Sequence, residues 1–330
     1  MRAAWFERFG PAGEVLKVGE QPDPVPGPGE VLVALRTSGV NPSDVKKRAG
    51  SSASLLDEGL VIPHSDGAGV IAAVGHGVDR KRIGERVWVY QAQYARRFGT
   101  AAEYVAIDGR RAPVLAEAAS FEVGACLGIP VMTAHRCVFA DGSVKGQHLL
   151  VTGGAGRVGW YAIQWAKGAG AFVIATAGSD TDRQACLDVG ADAVVNHRAG
   201  GWGAQVLEAT GGRRIDRAVD VEFGANLTEL LECLRTGATI ATYSSTLVRE
   251  PKLPFGRMMF MDLTIRMVIV YAMPEEAKTD AMRDIDAALR KDRLKHRVAH
   301  LLPLDQIARS HQLIENRGFG GCVLLKVAEQ

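Results

Sequence analysis

The stretch "LLVTGGAGRVGWYAIQWAK", residues 149–167, sets a short apolar run against a glycine-rich turn and an apolar helical pattern. Leu149, Leu150 and Val151 read as a buried strand, and Gly154, Gly156 and Gly159 follow in G-x-G-x-x-G spacing. That spacing is the fingerprint of a dinucleotide-binding turn. Glycine lets the backbone turn tightly and approach a pyrophosphate, and the last glycine lets the next helix lie close on the sheet. The open N–H groups at the helix start would then receive the phosphates. Glycine turns also end ordinary strands, so the surroundings have to decide.

Downstream the chain alternates. Trp160 to Gly170 reads as a helix, "AFVIAT" (171–176) as a β-branched strand, 182–189 as a helix stopped by Gly190, and "ADAVVNH" (191–197) as a strand. "IDRAVDV", the helical "NLTELLECL" and "ATIATYSS" repeat the pattern. Alternation of this kind predicts a doubly wound parallel sheet, placed at residues 122–294.

With 330 residues and 47% hydrophobic content the chain is long enough for a second core. With a net charge of +2, the basic pairs, short and scattered, read as solvated faces rather than a nucleic-acid footprint. The start "MRAAWFERFG" has no apolar core for a signal peptide and "MVIVYAM" is too short to span a bilayer, so no membrane is expected and a cytoplasmic protein is. Five widely spaced cysteines without a C-x-x-C pair predict buried thiols rather than disulfides or a zinc lobe.

The N-terminal part has another texture. A Pro-Gly segment runs into an alternating strand at Val31 to Arg36 and a turn at Gly39 to Pro42, and "GAGVIAAVG", "GERVWVY" and "GTAAEYVAI" read as further short strands. The tail ends in a strand that is expected to return to this β-rich domain.

Taken in order, "GVNPSDVKKRAG" (39–50), "IPHSDGAGVIAAVG" (62–75), "GERVW" (84–88), "GTAAEYVAI", "CLGIPVMTAHRCV", the turn with Val158-Gly159 and "VVNHR" (194–198) resemble the medium-chain dehydrogenase/reductases, in the zinc-independent quinone oxidoreductase (zeta-crystallin-like) branch. The resemblance covers nearly the whole chain. It implies an α/β protein: a GroES-like β-rich catalytic domain at 1–121 and 295–330, a Rossmann domain at 122–294, and a nicotinamide cofactor in the cleft between them.

Zinc-dependent members of the superfamily set Cys, His and Cys around a catalytic zinc. The matching positions here are Asn41, Ser65 and Ile129, so no metal is expected; His64 is read as a loop histidine bonded to backbone. Without zinc, hydrogen-bond donors must stabilise the charge that develops on the acceptor oxygen. The resemblance makes Asn41 the polar residue beside the nicotinamide; its alternative is turn chemistry in Asn-Pro. Lys46 stands where the family commonly carries a tyrosine, as a donor, as an attractor of anionic substrate, or simply as a solvated lysine. Tyr90, Tyr94 and the Met-rich "FGRMMFM" (255–261) are alternatives for apolar substrate contact, although a methionine stripe is more often core.

NADPH is the expected cofactor. The strand "FVIAT" ends in Ala177-Gly178-Ser179 without the carboxylate that holds a ribose in NAD enzymes. Ser179, Arg183 and His197 are expected at the 2′-phosphate, with Asp180 opposing, and Arg157 at the pyrophosphate beside Gly154, Gly156, Val158 and Gly159. The resemblance adds Thr133, Ser245 and Tyr271 to the cofactor set. The leading expectation is an NADPH:quinone reductase; alternatives are a reductase of α,β-unsaturated carbonyls and, from another class, a non-catalytic structural or RNA-binding protein. "TIRMVIVYA" (264–272) is read as the strand that pairs with its own copy in a homodimer.

Overall fold

The computed structural model describes residues 1–316 and 318–328. It divides into two compact units, Met1–Ile129 with the chain from Met282 onward, and Pro130–Ala281. The helix Glu275–Arg290 carries the chain from the second back to the first.

The first unit is built on strands. β1 (Arg2–Trp5) pairs with β2 (Lys17–Glu20), while β3 (Glu30–Val40), β4 (Asp66–Val74), β5 (Arg86–Val89), β13 (Val298–Pro303) and β14 (Cys322–Lys326) form a sheet in the order β13-β14-β3-β4-β5. β6 (Tyr104–Asp108) pairs with the first half of β3, and β14 with its last residues. The tail strand therefore does return to the first unit. β3 alternates buried and half-buried positions as far as Thr37, then is buried continuously from Ser38 to Val40. There Gly39 is obligatory, because a Cβ would overlap Ala125 O and press on Asp66 Cβ. The core gathers Val31, Val33, Leu35, Ile71, Val89, Val105 and Leu325.

A polar chain threads this core. His64 has a left-handed φ of 77°, a conformation that costs a side-chain-bearing residue about 1–3 kcal/mol unless its surroundings hold it. They do: Thr100 N–H donates to His64 O at 3.0 Å, Nδ1 meets Ser38 Oγ at 2.9 Å and Nε2 meets His311 Nε2 at 3.0 Å. Ser38 Oγ also meets Thr100 Oγ1 at 2.8 Å, and the Thr100 hydroxyl donates to Asp66 O at 2.6 Å. One proton assignment gives every hydrogen an acceptor: His311 Nε2–H to His64, His64 Nδ1–H to Ser38, Ser38 to Thr100, Thr100 to Asp66 O. It leaves only a lone pair, at His311 Nδ1, without a partner among the described residues. The loop histidine bonded to backbone expected at His64 is thus corrected to a fully buried one bonded through both ring nitrogens, because its neighbours' side chains complete a chain that no solvent reaches.

Among the described residues the second unit folds around a six-stranded sheet: β7 (His148–Val151), β8 (Phe172–Ala177), β9 (Ala193–Asn196), β10 (Ile215–Asp220), β11 (Leu234–Thr242) and β12 (Thr264–Met267). Every pairing is parallel and the order is β12-β11-β10-β7-β8-β9, so the winding reverses between β7 and β10. The helices Arg157–Gly168, Asp180–Asp188, Trp202–Ala209 and Phe223–Cys233 are its crossovers. The run 264–272 is shorter as a strand than its apolarity predicts. It pairs only to Met267, after which Val270–Ala272 makes a 3₁₀ turn with Val270 buried. No helix among the described residues is long and apolar enough to cross a membrane.

Burial pushes the imidazole of His64 down to about 3 and that of His311 well below the usual range. Both are neutral in the fold, whereas in the unfolded chain each takes up a proton below about pH 6.5. Stability contributed by the pair is therefore complete above that pH and is lost as pH falls toward 3. His311→Gln, which removes one titrating group, is expected to destabilise at pH 8. That cost should shrink by about 1.4 kcal/mol per pH unit below pH 6. Urea unfolding of both proteins at pH 8, 6 and 5 checks this, and a pH-independent difference would contradict it.

Candidate active site

The Asn-Pro dipeptide ends β3 and opens the helix Pro42–Arg48. Asn41 is the extended N-cap residue and Pro42 occupies the first turn, where its missing N–H is no loss. The Asn41 N–H donates to Asp44 Oδ2 at 2.8 Å, and its side-chain Nδ2 donates to Asp66 Oδ2 at 2.8 Å. A second donor, the Ile129 N–H, reaches the same Asp66 oxygen at 2.8 Å. Asn41, Asp44 and Asp66 are all buried. Burial, reinforced by the negative charge of Asp44, pushes the Asp66 carboxyl up to about 8.

Lys46 lies on the exposed side of the helix. It is Lys47 that faces inward: its Nζ donates to the backbone O and the Oε1 of Gln93 at 2.6 and 2.7 Å, and burial lowers its pKa against the pull of Asp44 and Asp66. One residue along a helix turns a side chain by about 100°, which alternation of two lysines in sequence does not reveal. Of the alternatives for apolar substrate contact, Tyr90 is buried against Trp88 with the Arg111 guanidinium over its ring, while Tyr94 is exposed. Within "FGRMMFM", Met258 joins the core of the second unit and Phe255, Met259 and Phe260 are exposed.

The donor set does not suit zinc, which takes thiolate, imidazole or carboxylate lone pairs in a tetrahedron. Asn41 turns its amide N–H toward Asp66, Ile129 offers a backbone N–H, and Ser65 supplies neither thiolate nor imidazole.

In the second unit the glycine turn sits at the carboxyl ends of β7 and β10, the switch point at which open α/β sheets bind ligands. Gly153 N–H donates to Thr176 Oγ1 and Gly154 N–H to Thr176 O, both at 2.9 Å. Gly156 is the N-cap of the helix whose first residues are Arg157, Val158 and Gly159. A Cβ on Gly154 would crowd Ala175, Cys186 and Ile163. Beneath the turn, Asp220 accepts from Thr152 Oγ1 and Asn226 Nδ2 at 2.8 Å and from Thr242 Oγ1 at 3.2 Å, which ties the ends of β7, β10 and β11 together.

At the end of β8, Ser179 caps the helix Asp180–Asp188: its hydroxyl accepts from Asp182 N–H and donates to Asp182 Oδ2. That engagement draws the Asp182 carboxylate toward the serine. Arg183 and His197 are both exposed, and partial desolvation, with the charge of Arg198 beside it, lowers the pKa of His197. Arg198, which the sequence reading omitted, packs with His197 over Gly178, where any Cβ would meet the Arg198 guanidinium. Its signal was present in the basic residue after "NH". Thr133 is buried on the helix Met132–Phe139, the Ser245 hydroxyl accepts from Gly224 N–H and donates to Val248 O, and Tyr271 lies in the 3₁₀ turn.

Two family models match the chain: an alcohol dehydrogenase GroES-like domain at residues 27–117 and a zinc-binding dehydrogenase at residues 158–287. The quinone oxidoreductase of Homo sapiens is 30% identical over 98% of this chain and 97% of its own length. Among solved structures, the Escherichia coli quinone oxidoreductase complexed with NADPH superposes with a TM-score of 0.86 at 25% identity, covering 99% of this chain and 100% of that one. An NAD-dependent alcohol dehydrogenase superposes with the same TM-score at 29% identity, covering 99% and 100%.

The turn's sharpest steric demand is at Gly159, where a Cβ would overlap Gly153 O and approach Gly154 Cα at 2.9 Å, backbone that cannot swing away. Gly159→Ala is expected to cost about 1–3 kcal/mol of stability, read by urea unfolding. Gly168→Ala, in open space on the same helix, should be neutral or stabilising.

Proposed function

The chain belongs to the quinone oxidoreductase family of the medium-chain dehydrogenase/reductases, and on that premise we propose that it is an NADPH-dependent reductase of quinones that works without a metal. The observation that supports the acceptor class is the set Asn41, Ser65 and Ile129 at the positions that hold zinc in metal-dependent relatives. A quinone spreads the arriving negative charge through conjugation, so positioned hydrogen bonds suffice where a simple ketone would need a Lewis acid.

Bound NADPH would supply the hydride. Toward it the second unit offers the glycine cradle of Gly154, Gly156 and Gly159 with the helix N-terminus at Arg157, whose open N–H groups suit a pyrophosphate. We assign the 2′-phosphate to Arg183 and Arg198, since the Ser179 hydroxyl is engaged by its own cap and β8 ends without a carboxylate. In the first unit Asn41 retains one amide N–H beyond its bond to Asp66, and this is the donor for the acceptor oxygen. Lys46 remains a surface charge that draws anionic substrates. The domain division keeps the nucleotide chemistry in the parallel sheet and the acceptor chemistry in the β-rich unit.

A homodimer belongs to the same proposal. β12 is an edge strand, and Phe260, Met267 and Ile269 around it are 85%, 76% and 56% exposed. An apolar edge of this kind is covered by a second copy across a two-fold axis. Light scattering at micromolar concentration is expected to give the dimer mass, and Met267→Lys the monomer mass; a monomeric wild type would overturn this.

For the activity, NADPH oxidation with 1,4-benzoquinone and 9,10-phenanthrenequinone is expected to persist after exhaustive chelation. Turnover confined to α,β-unsaturated carbonyls would move the assignment to an enone reductase, and cofactor binding without turnover to a non-catalytic protein. Arg198→Ala should lower kcat/KM for NADPH about tenfold or more while leaving NADH within about twofold, the scale of one lost charge-assisted contact.

A further inference from the structure

Asp66 begins β4 and exposes no surface. It takes its two donors, Asn41 Nδ2 and the Ile129 N–H, on the same oxygen, Oδ2. Oδ1 has no hydrogen-bond partner among the described residues and lies against Gly128, where any Cβ would overlap it. We infer that Asp66 is the positioning residue for Asn41, holding the amide in the single rotation that turns Nδ2 inward and keeps its second N–H for the acceptor. The inference rests on Asn41 being the donor proposed above.

The reasoning is one of lone pairs. Rotating the amide by half a turn would set Asn41 Oδ1 against Asp66 Oδ2, two acceptors with no hydrogen between them. The charged groups acting on the carboxyl are Asp44 and Lys47, both from the helix Pro42–Arg48. Burial raises the Asp66 carboxyl, and a proton taken up there belongs on Oδ1, because Oδ2 already receives two donors. Oδ2 is thus an acceptor in both charge states, and the amide keeps its rotation across the working pH range. The Thr100 hydroxyl on Asp66 O holds the backbone of the same residue, so the carboxyl has a fixed base. A carboxyl required only to satisfy the backbone of residue 129 would have no need to share that oxygen with Asn41.

An amide at position 66 keeps an acceptor oxygen, and alanine does not. In protein shown by thermal melt to be folded, Asp66→Ala is expected to lower kcat about tenfold or more, with NADPH Kd within about twofold. Asp66→Asn should recover most of that loss. An independent readout is the side-chain amide of Asn41 in ¹⁵N NMR, assigned by its disappearance in Asn41→Ala. It should be protected from solvent exchange in the wild type and Asp66→Asn, and exposed in Asp66→Ala. Wild-type turnover in Asp66→Ala alongside impaired Asn41→Ala overturns the positioning role and leaves Asn41 standing. Wild-type turnover in Asn41→Ala overturns both. Should Asp66→Ala fail to fold, an Asn41 amide that exchanges freely in the wild type overturns the positioning role without it.

Discussion

The buried carboxyl of Asp66 is the constraint around which the first unit is arranged. Removing a carboxylate from water costs several kcal/mol, on the order of what a few charge-assisted hydrogen bonds return. Two bonds at one oxygen do not cover that, so the group answers by holding its proton up to about 8. For this to be tolerated, the chain must bring close the end of β3, the first residue of β4, the helix Pro42–Arg48 and the backbone at Ile129. The glycines Gly39 and Gly128 follow from the same demand, because a side chain at either would occupy the space that the carboxyl and its neighbours need.

The second unit handles a buried carboxyl differently. Asp220 receives three side-chain donors spread over both oxygens, and what it joins is the ends of three parallel strands. Its work is to close a sheet at the switch point. Asp66 is half satisfied, and its bonded half points at an amide in the proposed site. A fully saturated carboxyl rigidifies, whereas one that commits a single oxygen to one side chain selects that side chain's orientation.

His64 shows how the same core pays for an unusual backbone. Its left-handed φ is held because both ring nitrogens are bonded within a chain of side chains from β3, the helix Ile307–Asn316 and the loop at Thr100. That chain ends on the carbonyl of Asp66, so tail, loop and strand all bear on one residue. The neutral imidazoles it requires make the unit sensitive to acid, and the left-handed backbone at His64 depends on them staying neutral.

Much was legible in residue order alone, because the forces involved are local or periodic. The glycine spacing at 154–159 demands a tight turn whatever the surroundings, and β-branched runs alternating with helical ones can bury both faces only as a doubly wound parallel sheet. The tail strand and the body of β3 were readable for the same reason, whereas the turn expected at Gly39 to Pro42 is the end of β3 at Val40 and a helix that starts at Pro42. Tertiary structure decided what depends on which side chains meet across long separations. It buried His64 and Tyr90, turned Lys47 rather than Lys46 inward, ended β12 at Met267 by burying Val270, and set Arg198 over Gly178. It also joined Asp66 to Asn41 across 25 positions of sequence. No spacing rule encodes that contact, since a carboxyl's charge state and an amide's rotation are fixed by the dielectric and the donors around them, and these exist only once the chain has closed.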